Sequence, residues 1–386
     1  MSHDVDDRLN RMLDQAQRNQ SCLAVRSKED KRALLRRVER GTLVSPHPNL
    51  FARKEYWLAL SNKPDIKDLH VVRGFATLNP EAIFAQVSAA LIYGLQVTGS
   101  SLGKIHLATD STRASRTTSD IARHQIPHRE IAACHTVGPF RVTSLWRTVL
   151  DCLKTLPARE ALVIADSVAR KMHLDAWQIQ HTLRRQFSGS RGLDRALEIA
   201  RFADGRSENG GESIARASIV HLGYETPELQ APFIDPVDGR SAYRVDFLWS
   251  DAGMQPLVIG ELDGYRKTED QEYRSGRTAT RVLADERRRE SRLTAHGVPV
   301  MRMSFQETLD QAFLERLLNT YRVPRRQAGR TWTHTTRLTM ADWLICIRLH
   351  VPKRPLVSIN KHDLMSKRAQ VRPTTDSHKE SSRTTR

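Results

Sequence analysis

Three observations predict an α/β (α+β) chain built from more than one domain. The 386 residues include 39% apolar side chains, enough for packed cores at a length that suits two or three domains. Runs with strand alternation stand beside runs with helical periodicity and recognisable caps. Breaks rich in Gly, at 189–192 and 204–211, separate a middle region from the C-terminal part of the chain. The expected division is 1–60, 61–190, 205–325 and a basic tail, 326–386.

Within 1–60, residues 6–18 suit a short helix with Leu9, Met12 and Leu13 on one side. Ser27-Lys28-Glu29-Asp30 is a capping-box-like start. The helix it opens runs to Arg40 and is closed by Gly41. Leu34, Leu35 and Val38 supply its apolar face. Lys28, Arg32, Arg36 and Arg40 recur every four residues and form one basic stripe. Thr42-Leu43-Val44 and Leu50-Phe51-Ala52, separated by Ser45-Pro-His-Pro-Asn49, read as a hairpin. Helix, basic helix and hairpin outline a winged helix, whose second helix would enter a major groove while the wing touches backbone. A basic helix face is ordinarily a solvated face; the caps, the hairpin and the basic chain favour DNA binding. This stretch resembles the N-terminal domain of AbiEi-type antitoxins, the DNA-binding half of abortive-infection toxin–antitoxin systems. That resemblance implies that Lys28, Lys31, Arg32, Arg36 and Arg37 contact phosphate or base edges, with Arg40 on the same stripe. It also implies a cognate toxin as a partner.

Within 61–190, Pro80 to Gly94 reads as a buried helix, with Pro80 in its first turn and Gly94 at its end. Residues 104–109 alternate like a strand, and 111–119 read as a polar loop. Residues 142–151 begin as a strand and become a helix, and 158–169 form another apolar helix. The order is similar to the middle region of AbiEi-like proteins of actinobacteria and carries no catalytic motif. His124, His128 and His135 fit no standard zinc pattern, and Pro127 argues against a shared helix face for the first two. Asp151 and Asp166, on apolar helices, read as paired or capping acids.

The most informative stretch is 243–264. Tyr243, Val245, Phe247 and Trp249 alternate with Arg244, Asp246 and Leu248, Ser250-Asp251-Ala252-Gly253 is turn chemistry, and Leu257-Val258-Ile259 begins a second strand. Glu261 and Asp263 then share one face of that strand, and Asp246 on its neighbour can join them. Clustered carboxylates repel one another unless a cation lies among them, and hard oxygens suit Mg²⁺. The ordinary alternative is a set of solvated acids edging the sheet.

With Glu212, Asp246 and Glu261-Leu262-Asp263-Gly264, the chain resembles the PD-(D/E)XK nuclease superfamily. More narrowly it resembles domains similar to very-short-patch repair endonucleases, in which a Val-Asp-Phe strand precedes a Glu-x-Asp-Gly strand. The likeness covers about residues 210 to 305, including a helix opening near Asp285 and a closing strand from Val298 to Arg302. It implies that Asp246 and Glu261 hold Mg²⁺ or Mn²⁺ and that Glu212 or Asp263 completes the shell. Where the superfamily often has Lys two residues after the Glu, this chain has Asp263, and Lys267 occupies the place of a later polar residue. Residues 266–281 read as a mobile loop. Arg287, Arg288, Arg289 and Arg292 lie on the next helix, where Arg289 would hold a phosphodiester strand.

A formal charge of +17 directs the whole chain towards a polyanion, nucleic acid before an acidic membrane. The tail alone has 13 Lys and Arg against 4 Asp and Glu, with an apolar piece at 343–349 and a Ser/Thr/Arg-rich end from Lys367 expected to be disordered. The four cysteines are scattered, as in a reduced cytoplasmic protein. No run approaches the length of a membrane span. No small-molecule cofactor is expected. The function expected is a DNA-binding protein with a Mg²⁺-dependent, nicking or repair-like endonuclease domain. The alternative is a non-enzymatic antitoxin or transcriptional regulator that retains the nuclease fold; an RNA-binding scaffold is a weaker third reading.

Overall fold

The computed structural model describes residues 2–110, 118–240, 242–251, 254–263, 279–295 and 297–326. The loop expected at 266–281, the whole of the tail beyond 326 and Lys267 lie mostly or wholly outside these residues. The chain is mixed α/β, with three separate sheets. Among the described residues no helix is long and apolar enough to cross a membrane.

The chain opens with α1 (Ser2–Arg18), β1 (Leu23–Ala24), α2 (Lys28–Glu39) and the antiparallel pair β2 (Leu43–His47) and β3 (Leu50–Arg53). The first sheet has the order β1-β3-β2. Leu9, Leu13, Leu34, Leu43 and Phe51 close a small core beneath it. Ser27 caps α2 by accepting from the Asp30 amide at 3.3 Å, and the Asp30 carboxylate is in turn clasped by Arg8 of α1. Leu35 departs from expectation. Its neighbour Leu34 takes the core position and leaves Leu35 38% exposed, because one residue of offset is 100° of helix rotation.

After α3 (Lys54–Ala59) and α4 (Pro64–Leu78) come β4 (Ile83–Phe84), α5 (Gln86–Ile92), β5 (Ile105–Thr109), β6 (Ile121–Gln125), α6 (His128–Ala132), β7 (His135–Val137) and β8 (Phe140–Val142). The strands form a sheet of order β6-β5-β4-β8-β7. The single helix expected over 80–94 is therefore corrected. Ile83 and Phe84 pair with Arg141, Val142 and Leu107 as a central strand, and only the second half is helical. A run buried on all sides has no periodicity that separates helix from strand, and the sheet decides. His124 lies in β6 with its ring stacked on His106, His128 opens α6, and His135 lies in β7.

Helices α7 (Leu145–Thr155), α8 (Ala158–Met172), α9 (Ala176–Phe187) and α10 (Leu193–Ala200) pack on this sheet and on one another in one large core. Thus α10, between the two Gly-rich breaks, belongs with the middle region. Next come α11 (Gly210–His221), β9 (Glu228–Ile234), β10 (Ala242–Ser250), β11 (Pro256–Asp263), α12 (Ala279–Thr294), β12 (Val300–Ser304), α13 (Phe305–Leu309) and α14 (Gln311–Thr320). The third sheet runs β12-β11-β10-β9, antiparallel except for the parallel β11–β12 pair. Ala215 and Ile219 of α11, with Leu314 and Leu318 of α14, fill one side against Phe247 and Trp249, while Leu293 of α12 packs near Leu248 and Ile259. Gly260 leaves little room for a side chain. A Cβ would lie 3.0 Å from the Trp249 ring and 3.1 Å from Phe247 Cβ.

Helix α11 serves two cores, placing Ala217 and Val220 in that of the middle region and Ala215 and Ile219 in that of the third sheet. At its centre Arg216 donates from Nη2 to both carboxylate oxygens of Asp166 on α8, at 2.5 and 2.6 Å, and from Nη1 to the Phe202 carbonyl. The Asp204 amide adds a bond to Asp166 at 2.8 Å. Asp151 is likewise paired, with Arg147 and Lys154. Removing one member of a buried pair strands the other charge. Asp166→Ala is expected to lower stability by roughly 3–5 kcal/mol in urea unfolding, whereas the double replacement Asp166→Leu with Arg216→Met costs clearly less.

Candidate functional site

The site begins where two strands part. The β10–β11 ladder runs from Ser250 opposite Pro256 to Phe247 opposite Gly260, and the next positions are Asp246 and Glu261. There side chains take over the bridging. The Leu262 amide donates to Asp246 Oδ2 at 2.9 Å. Arg289, reaching in from α12, donates from Nη1 to Glu261 Oε1 (3.1 Å) and to the Arg244 carbonyl (3.4 Å), and from Nη2 to Glu261 Oε2 (3.0 Å). Helix α12 is itself anchored by Arg292 on Asp235, at 3.4 Å. The Tyr243 hydroxyl and the Val237 amide donate to the Asp235 carboxyl and hold it below the ordinary carboxylate range.

Glu212 stands in the first turn of α11, where the exposed helix amides favour negative charge. Asn209 caps that turn, accepting from the Glu212 amide at 3.1 Å, and its Nδ2 donates back to Glu212 Oε1 at 2.6 Å. The Glu208 amide donates to Oε2 at 2.8 Å. Glu212, Asp246 and Glu261 are 3, 8 and 4% exposed, so all three carboxylates are buried.

Gln230 joins two of them. Its Nε2 donates to Glu212 Oε2 and to Asp246 Oδ1, each at 3.3 Å. The register sets Gln230 beside Asp246, between the pairs Leu229–Phe247 and Ala231–Val245. Its φ of +53° lies in the left-handed region, rare for a side-chain-bearing residue inside a strand. Sequence reading did not single out Gln230. The alternation Leu229-Gln230-Ala231-Pro232-Phe233 is ordinary for a half-buried strand, and only the pairing with β10 reveals it.

Asp263 stands apart from these three. Arg302 of β12 holds it through Nε at 3.1 Å and through Nη2, and Arg302 also faces Glu290 of α12 at 3.5 Å. Among the described residues no three His, Cys, Asp or Glu side chains converge as a ready metal-binding group. The oxygens of the buried carboxylates are held by N–H donors, and three of those donors, Asn209, Gln230 and Arg289, are side chains.

The basic stripe is found at the other end of the chain. Lys28, Arg32, Arg36 and Arg40 are exposed on α2, and their side chains have no hydrogen bond or ion pair among the described residues. Lys31 is half-buried. Arg37 is turned inward, with Nη1 on Asn10 Oδ1 at 3.0 Å and Nη2 on Asp6, so it ties α2 to α1. Its guanidinium is already engaged, unlike those of the exposed stripe.

Two proteins of Mycobacterium tuberculosis are similar to part of the chain: the uncharacterized proteins MT2308 (strain CDC 1551 / Oshkosh) and Rv2248 (strain H37Rv). Each is 32% identical over 164 residues, which is 42% of this chain and 57% of the relative. The chain therefore matches only a little over half the length of these relatives. No family model and no solved structure matches it.

Glu261 without Arg289 would be a buried carboxylate lacking its fork of donors. Arg289→Met is expected to lower stability by roughly 3 kcal/mol, the low end for breaking a buried pair because Arg289 keeps some contact with water. Urea unfolding measures the loss, and Mg²⁺ is expected to restore part of it in the variant.

Proposed function

We propose that this chain is a DNA-binding protein whose C-terminal domain hydrolyses phosphodiester bonds with Mg²⁺ or Mn²⁺, in the manner of PD-(D/E)XK nucleases. The observation that carries this reading is the opening between β10 and β11, lined by the buried carboxylates of Asp246 and Glu261, with Glu212 joined to Asp246 through Gln230. The element order supports it: a helix, three antiparallel strands, a helix, and a strand parallel to the third.

The donor set is of the kind that suits a hard divalent cation: three buried carboxylates on adjoining elements, two of them joined by Gln230. Asp246 and Glu261 would hold it, with Glu212 completing the shell. When bound, the metal supplies a hydroxide nucleophile and stabilises charge on the phosphate. The chain's own groups do the rest. The Leu262 amide orients Asp246, Gln230 spaces it from Glu212, and Arg289, once turned from Glu261, offers a planar fork to phosphate. Asp263 is reserved for Arg302, and Lys267 lies outside the described residues.

Targeting belongs to the N-terminal unit. The element order α1, β1, α2, β2, β3 with the sheet order β1-β3-β2 supports a winged-helix reading, with Lys28, Arg32, Arg36 and Arg40 as the outward cations. A second reading, favoured by the N–H donors on the carboxylates, is a regulator or AbiEi-like antitoxin that keeps the nuclease fold without the reaction. A cognate toxin belongs to that reading.

The two are separated by a supercoiled-plasmid assay. The native protein with Mg²⁺ or Mn²⁺ is expected to nick, and Asp246→Ala with Glu261→Ala to fall to the level of the metal-free protein. Absence of nicking by the native protein, with duplex binding intact, decides for the regulator. On duplex DNA, Arg32→Ala with Arg36→Ala is expected to lower the slope of log affinity against log salt by about 2. An unchanged slope removes α2 from the interface.

A further inference from the structure

Helix α9 buries Ile179, Leu183 and Phe187 and turns its opposite side outward. That outward side carries Trp177, His181, Arg184 and Arg185, whose spacings of three and four residues place them in one stripe. Trp177 is 66% exposed. The ring therefore presents a free aromatic surface to solvent. Its indole stacks on the His181 imidazole, with centroids 5.1 Å apart and planes 18° from parallel, so the two rings form one flat platform. Arg184 and Arg185 lie within about 12 Å along the axis, both exposed and without an ion pair or hydrogen bond among the described residues. From Ala176 to Phe187 there is no Asp or Glu. The one adjacent acid, Asp175, is committed to the capping box, accepting from the Gln178 amide at 2.8 Å.

We infer that this face of α9 binds an unpaired nucleic-acid strand, with bases stacked on the Trp177–His181 platform and phosphates held by Arg184 and Arg185. The charge selects the partner. A stripe of cations without acids, on a chain of net charge +17, complements a polyanion rather than a typical protein surface. The platform selects the form of that polyanion, because duplex bases are already stacked while an unpaired base has a free π-face for an aromatic ring. The face lies on the middle region, shares no residue with α2 or with the β10–β11 opening, and does not depend on the nuclease reading.

The test uses the full chain and fluorescein-labelled dT20, with U20 as the RNA arm and a 20-base-pair duplex as control, read by anisotropy. Trp177 and both arginines are exposed, so their replacement leaves the core untouched. Trp177→Ala is expected to weaken dT20 binding about tenfold with little change in salt slope, since one lost base stack is worth 1–3 kcal/mol. Trp177→Phe retains most of the affinity. Arg184→Ala with Arg185→Ala lowers the single-strand salt slope by about 1.4. Duplex binding through α2 stays within twofold in each. The inference is overturned if the native protein does not bind dT20 or U20, or if Trp177→Ala and the double arginine variant both bind as the native protein does. It is also overturned if Trp177→Ala instead converts a dimer to a monomer in sedimentation with strand affinity unchanged, which would make this face an interface between copies.

Discussion

The architecture depends on a helix with no solvent face. Every residue of α11 from Gly210 to Val220 is buried, so the helix must be covered on all sides. The middle region covers one side through α8 and the third sheet covers the other. A guanidinium at the centre of such a helix is tolerable only if each charge finds a partner, and Asp166, supported by the Asp204 amide and the Phe202 carbonyl, answers that demand. The Asp166–Arg216 pair therefore does more than hold two elements together. It sets the position of α11, and with it the position of Glu212 at the helix N-terminus, relative to a sheet formed by chain that comes later.

The same demand shapes the opening between β10 and β11. Carboxylates buried where a ladder ends need donors, and the chain supplies them as backbone amides at Leu262 and Glu208, carboxamides at Asn209 and Gln230, and a guanidinium at Arg289. The left-handed conformation of Gln230 is a local cost, accepted where one amide must reach two acids. Arg289 sits where its charge balances Glu261, so the positive charge in this opening comes from the protein itself. The Arg289 fork on Glu261 thereby ties the charge balance of the opening to the position of α12.

The positive charge of the chain is organised on at least two separate faces with different chemistry. On α2 it is a bare stripe of Lys and Arg, suited to the regular phosphates of a duplex. On α9 it accompanies stacked aromatic rings, suited to exposed bases.

Local signals in the sequence determined a good part of this protein. The Ser27 cap, the closing Gly41 and the four-residue recurrence of cations on α2 are short-range features, and they hold in the structure. The strand from Tyr243 to Trp249 also holds, but its alternation does not: Val245 to Trp249 are all buried, with Val245 and Leu248 in one core cluster and Phe247 and Trp249 in another. The reading of Asp151 and Asp166 as paired structural acids holds, because a buried acid on an apolar helix has few other options. Strand spacing alone singled out Asp246 and Glu261, together with Asp263, and Glu212 was added by the resemblance to the PD-(D/E)XK superfamily. Only the tertiary structure decided the rest. Residues 83–84 are a strand because two neighbouring strands pair with them, and Leu35 is outward because Leu34 takes the core. Arg37 is engaged because α1 brings Asn10 and Asp6 to it. Gln230 and Arg289 enter the carboxylate site through contacts spanning 16 to 28 residues, and no local periodicity carries information about a partner that only folding brings near.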